Sequence, residues 1–233
     1  MYMDWTYIVL VLPAVLFSMW ASARVTTTFK KYSQIHNSRG LTADAAARYI
    51  LDRNGLQNIR IERISGELTD HYDPSANVIR LSDTVYGNTS AAAVGVACHE
   101  TGHAIQHAVG YKPVKIRTAI VPITNFGSKL SVPLIIGGLI LASFSNAFLL
   151  LAYFGVLCFS LCVVFQLVTL PTEFDASKRA LACIEENGLL SGDELEGARK
   201  TLSAAAMTYV AALATSIMQL LRFIVIVGGS RRD

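Results

Sequence analysis

The chain has 233 residues, 52% of them hydrophobic and 16% charged, with a formal net charge of +3 and a mean hydropathy of +0.43. Soluble domains carry about a quarter charged residues, so this composition excludes an ordinary soluble domain and points to an integral membrane protein. The small net charge, with no basic block, argues against nucleic acid as a partner.

The first apolar run, Trp5 to Ala23, is long enough to span about 30 Å of hydrocarbon. No basic segment precedes it, and Arg24, Lys30 and Lys31 follow it. Positive charge after the span predicts an uncleaved anchor with everything from Arg24 onward in the cytoplasm. A polar region comes next. Thr42 to Asn54 has a helix pattern, with Thr42 as N-cap and Asn54-Gly55 as stop. Asn58 to Ile64 alternates with period two and reads as a strand, and Val78 to Leu81 is a second. Asn77 to Ser82 is a candidate edge strand for pairing with an extended peptide, with an internal strand as the competing reading. Ser90 caps a helix running to about Val109, with Gly110 behind it.

Thr118 to Ser128 is mixed in character and reads as interfacial or amphipathic. Two apolar runs, Leu130–Ser145 and Ala147–Leu170, then form a hairpin into the membrane and back. Pro171-Thr172 opens a polar helix ending near Asn187-Gly188, and a last apolar run, Leu202 to Val227, contains Arg222. The predicted layout is an anchor over 1–23, a catalytic part over 24–129, the hairpin over 130–170, a helix over 171–201 and a C-terminal apolar helix over 202–233. The four cysteines contain no C-x-x-C pair, so neither a zinc knuckle nor a disulfide framework is expected.

Within the helix after Ser90, His99-Glu100-Thr101-Gly102-His103 reads H-E-x-x-H. Residues four apart share a helix face, so the two imidazoles aim at one point, as they must to hold Zn²⁺. Glu100, one step round the helix, can take a proton from a water polarised by that ion. A catalytic zinc usually has three protein ligands. Gln106 and Val109 stand where the metzincin continuation needs glycine and histidine, which excludes that class. His107 extends the 99/103 face, but three histidines at i, i+4 and i+8 span about 12 Å, too far for one ion. The third ligand must come from elsewhere on the same side of the membrane. Glu173, just after the hairpin, is the candidate, at a helix N-terminus where the dipole favours a carboxylate. A bare helix-capping acid is the competing reading.

Asp70-His71-Tyr72-Asp73-Pro74, Asn77 to Ser82, Ala97 to His107 and Pro171 to Ser177 together resemble the YugP-type neutral zinc metallopeptidases of bacterial membranes. The similarity runs from the N-terminal anchor to the last apolar segment. A more distant likeness is to HtpX-type and prenyl-protein membrane proteases, which carry a helix-borne Glu ligand in E-x-x-x-D. Here Ser177 replaces that Asp, so Asp175 or another acid is left to orient a histidine. The resemblance implies a membrane-embedded zinc endopeptidase that acts on membrane or misfolded proteins.

The expected architecture is a mainly α membrane protein: a small α+β zincin-like catalytic domain with a short sheet, joined to about four hydrophobic helices. The expected ligands are His99, His103 and Glu173, with Glu100 as general base. His71, Tyr72 and Tyr209 are candidates for the oxyanion donor, His71 first because it falls in a predicted loop. The expected partners are a protein or peptide substrate, the lipid bilayer, and a membrane-protein partner or a second copy of the chain. The expected location is the bacterial inner membrane, with the catalytic part facing the cytoplasm. A zinc-containing scaffold that cleaves nothing is the rival reading, and Glu100 argues against it, because a structural site has no use for a general base. A transporter is a weaker rival, since the spans hold few ionisable groups.

Overall fold

The computed structural model describes residues 5–230. Among the described residues, four helices are long and apolar enough to cross a membrane: Tyr7–Tyr32, Lys112–Ala142, Asn146–Glu186 and Gly192–Gly229. The described residues divide into two compact units, one made of 5–21, 116–170 and 208–230, the other of 22–115 and 171–207.

The first unit holds the apolar ends of those helices. A π-helical turn, Tyr7–Val11, leads into α1 (Leu12–Tyr32). Thr118–Ser128, read as interfacial or amphipathic, is part of one continuous helix, α4 (Lys112–Ala142), which passes through Pro122 and Pro133. Small residues let α4 approach α5 (Leu149–Glu186) closely. A Cβ on Gly138 would strike the backbone of Ala152, and one on Gly155 would strike Ile135 and the Ser131 carbonyl. Such small-residue contacts drive packing where water supplies no hydrophobic force. Ile135, Ala152, Phe223 and Val227 form a buried cluster. Ser18 Oγ meets Thr215 Oγ1 at 3.0 Å, joining α1 to α6 (Gly192–Gly229). Arg222, the charge in the last apolar run, lies over the rings of Tyr7 and Phe223 at 5.5 and 5.9 Å, where cation–π attraction offsets part of its desolvation.

The second unit carries the sheet. Its helix α2 (Ala43–Arg53) starts at Thr42, whose side chain accepts the Ala45 N–H, and stops at Asn54, with Gly55 at φ +73°. Strands β1 (Arg60–Ile64), β2 (His71–Asp73) and β3 (Val78–Ser82) form a sheet in the order β1-β3-β2. β1 runs parallel to β3, and β2 antiparallel to it. Asp73 Oδ1 accepts the N–H groups of Ser75 and Ala76, and Asn77 takes φ +50° to complete the turn into β3. Of the two readings of Asn77–Ser82, the edge strand is overturned and the internal strand is observed. β3 is central and has its hydrogen-bonding edges used on both sides; the edge strands are β1 and β2. The loop predicted at His71 is likewise the short strand β2, too brief for a periodicity signal.

α3 (Ala91–Ala108) begins at Ser90, whose hydroxyl accepts the Ala93 N–H, and is followed by Gly110 at φ +65°. Ile50, Leu51, Ile79, Leu81, Val94, Ile184 and Leu202 are fully or nearly fully buried where α2, the sheet, α3 and the polar parts of α5 and α6 meet. A Cβ on Gly95 would press on Ala198, and one on Gly102 would collide with the carbonyl of Ala176, so α3 lies tight against both α5 and α6. Pro171 does not open a helix as expected. α5 runs unbroken from Leu149 to Glu186, so Glu173 sits mid-helix and the proposed N-terminal dipole does not act on it. Its position comes instead from the α3–α5 contact at Gly102.

Candidate active site

α3 and α5 bring three donors together. His99 and His103, one turn apart on α3, have their rings edge to face with centroids 4.7 Å apart. Glu173 Oε2, from α5, lies 3.3 Å from Nε2 of each. The Glu173 side chain is 3% exposed and each imidazole 14%. The donor atoms of all three lie within 4.8 Å of one another. Two imidazole nitrogens and a carboxylate oxygen are a donor set for catalytic zinc, with bonds of about 2.0–2.2 Å. Ligands at that distance around a tetrahedral ion stand about 3.3 Å apart, so the spacing fits the ion as well as the chemistry does. The buried cysteine of the same helix, Cys98, has its thiol pushed up by burial and belongs to the core.

The histidines are held from behind. His99 Nδ1 is 3.1 Å from Ser177 Oγ, and His103 Nδ1 is 3.0 Å from Gln106 Oε1. Gln106 Nε2 donates to Thr172 O and to Asp175 Oδ2, both at 2.8 Å. Arg179 Nε donates to the same Asp175 oxygen at 2.6 Å and lies over the Tyr111 ring. The sequence pattern leaves Asp175 or another acid as the candidate to orient a histidine and does not offer Ser177 for that role. The structure gives Ser177 directly to His99 and gives Asp175 to His103 through Gln106. Gln106 was not expected in this role, although its spacing of three from His103 puts both on one helix face.

Burial by itself would depress the His103 imidazole. The Glu173 carboxylate beside it and the charge of Glu100 outweigh that, so its pKa is raised. Glu100 is buried, and its Oε2 accepts the Tyr72 N–H at 2.9 Å. Tyr72 lies on the edge strand β2, and its N–H therefore points away from β3. Its ring packs edge to face on His107, at 5.6 Å between centroids. His107 thus lies beside the sheet and is not one of the three clustered donors. His71, next in β2, is exposed. Its Nδ1 is 2.9 Å from Thr69 O and its Nε2 is 3.3 Å from Arg80 Nη1, so its ring turns to the Arg80–Asp73 pair and not to the donor cluster. Tyr209 falls in the other unit.

An open groove of about 390 Å³ runs between α5 and α6, lined in part by Phe174, Ser177, Leu181, Leu202 and Ala206. Ser177, which bonds His99, is shared between groove and cluster.

Comparison with known proteins agrees with this chemistry. The family described as "Putative neutral zinc metallopeptidase" matches residues 7–228. The chain is 44% identical over 220 residues to a protein of Bacillus subtilis (strain 168) described as "Putative membrane protease YugP", covering 94% of this chain and 96% of that one. No solved structure matches. Over nearly its whole length, including both motif histidines, Glu100 and Glu173, the chain belongs to this family of neutral zinc metallopeptidases.

Proposed function

We propose that the protein is a membrane-embedded zinc endopeptidase in which His99, His103 and Glu173 hold the ion and Glu100 is the general base. The observation that carries this reading is the convergence of the three donor atoms, with Glu100 on the same helix beside them. When bound, zinc polarises a water and the scissile carbonyl and lowers the water's pKa toward neutrality. Glu100 takes the proton from that water as it attacks, and delivers it to the leaving amine. The Tyr72 N–H fixes one oxygen of Glu100, leaving the other to face the water. Ser177 and Gln106 orient the imidazoles, and burial by α3 and α5 excludes bulk water.

Substrates are membrane or misfolded proteins presented as extended segments. β2 is the edge strand beside Glu100, and because its Tyr72 N–H is held by that carboxylate, pairing of an extended substrate there relies on main-chain carbonyl acceptors. The groove lined by Phe174 and Leu181 suits an apolar substrate side chain. His71 is retained as a candidate oxyanion donor that must turn from Arg80 to act. A fall in kcat for His71→Ala at unchanged zinc content supports that role, and unchanged kinetics returns it to the strand. Charge bias around Trp5–Ala23 supports a site facing the cytoplasm of a bacterial inner membrane.

The test is zinc content together with cleavage of a generic unfolded protein by purified enzyme, before and after chelation. Cleavage lost with the metal and restored by stoichiometric zinc supports the reading. Zinc bound without any cleavage favours the scaffold alternative.

A further inference from the structure

We infer that Gln106 is a positioning residue that dictates the tautomer of His103 and thereby sets the affinity of the metal site. The inference rests on His99, His103 and Glu173 being the zinc ligands. Gln106 is fully buried, with its amide between His103 on one side and α5 on the other. The two groups facing Nε2 are the Thr172 carbonyl and an Asp175 oxygen that already accepts from Arg179. A backbone carbonyl can only accept, so the amide end facing it must be the NH₂. Turning the amide over would set oxygen against oxygen and leave buried groups unsatisfied. The orientation of Gln106 is therefore fixed by α5, not by His103.

The consequence falls on the imidazole. Both Nε2 hydrogens of Gln106 are used on α5, and Oε1 is left facing His103 Nδ1 at 3.0 Å. An amide oxygen cannot donate, so Nδ1 must carry the hydrogen. In the neutral ring Nε2, the atom 3.3 Å from Glu173 Oε2, then keeps its lone pair for the ion. His99 differs. Its Nδ1 faces the Ser177 hydroxyl, which both donates and accepts, so that partner orients the ring without choosing the tautomer. One helix, α5, thus supplies a ligand through Glu173 and presets a ligand of α3 through Gln106.

A purely structural reading of the same contacts makes Gln106 a clamp between α3 and α5. The two roles separate by substitution. Gln106→Leu removes both the acceptor toward His103 and the donors toward α5. Gln106→Glu keeps an acceptor toward His103 and gives up the donor pair. The full-length protein in detergent is titrated with zinc against a competing chelator, and with cobalt to read the absorption bands of the bound ion. Gln106→Leu should weaken zinc binding about 10- to 100-fold and shift the cobalt bands. Gln106→Glu, although it sets an oxygen against Thr172 O and Asp175 Oδ2, should lose less zinc affinity than Gln106→Leu because the acceptor toward His103 Nδ1 remains, and Ser177→Ala should also lose less than Gln106→Leu. Gln106→Asn, polar but too short to reach both sides, stands in if the leucine variant does not fold, and should behave like it. Wild-type affinity in the leucine or asparagine variant overturns the inference. Equal losses in the glutamate and leucine variants also overturn it, in favour of the clamp. These readouts do not require cleavage. A wild-type protein that binds zinc but cleaves nothing would therefore sink the peptidase reading alone, and one that binds no zinc would sink both.

Discussion

Gly102 lies so close to the carbonyl of Ala176 that a methyl group cannot be placed between them. This contact, inside the H-E-x-x-H motif, brings α5 within reach of α3 and Glu173 within 3.3 Å of both histidines. Gly102→Ala must push the helices apart. Overpacking of this kind costs about 1–3 kcal/mol, and the separation should lower zinc affinity more than Gly102's own distance from the ligands suggests. Thermal melting with zinc titration checks both, and a variant with wild-type affinity and stability would show that the contact does not set the site.

Glu173 and Asp175 share one turn of α5 but have different partners. Glu173 meets the imidazoles; Asp175 meets Gln106 and Arg179. Glu173→Ala should abolish stoichiometric zinc. Asp175→Ala should weaken it by about tenfold or somewhat more, as loss of an indirect partner does. Metal analysis after dialysis decides, and the reverse order would mean that the third ligand is wrong.

Zinc binding requires both imidazoles without a proton at the ligating nitrogen. In the metal-free protein the carboxylates of Glu173 and Glu100 raise the His103 pKa above its ordinary value of about 6.5. That contribution to apo stability is complete below about pH 6.5 and is lost as pH rises through the folded-state value. The proton also competes with the metal over the same range. The difference in melting temperature between zinc-loaded and chelated protein should therefore widen from pH 6 to pH 8. A difference that narrows would contradict the assignment of His103 as ligand.

Single cysteines near Asn37 and near Asn187, in a cysteine-free background, should both resist an impermeant reagent in intact cells. Both positions belong to the unit that holds the site, and the proposed orientation puts both in the cytoplasm. Labelling at either would invert or break the proposed cytoplasmic orientation.

Much of this was legible in the residues because local rules carry it. Thr42, Ser90, Gly55 and Gly110 mark helix ends by capping and by left-handed φ, and the two helices fall where those marks stand. His99, Glu100 and His103 declare themselves because helical spacing alone converges them. β2 escaped notice because three residues cannot show alternation, and it exists only because β3 lies beside it. Pro171 misled because proline usually opens or ends a helix, whereas here α5 continues through it. The part played by Gln106 depends on Thr172 and Asp175, 66 and 69 residues away, and no local pattern encodes such a contact.

In the proposed mechanism Glu100 moves the proton while the three ligands hold the ion. Glu100→Gln keeps the size of the side chain and an oxygen to accept the Tyr72 N–H, but removes the base. The decisive measurement is cleavage of an unfolded protein by this variant, alongside its zinc content. Stoichiometric zinc is expected, with turnover reduced on the order of 10²–10⁴-fold or more. Near-normal turnover in a preparation free of wild-type enzyme would contradict the mechanism.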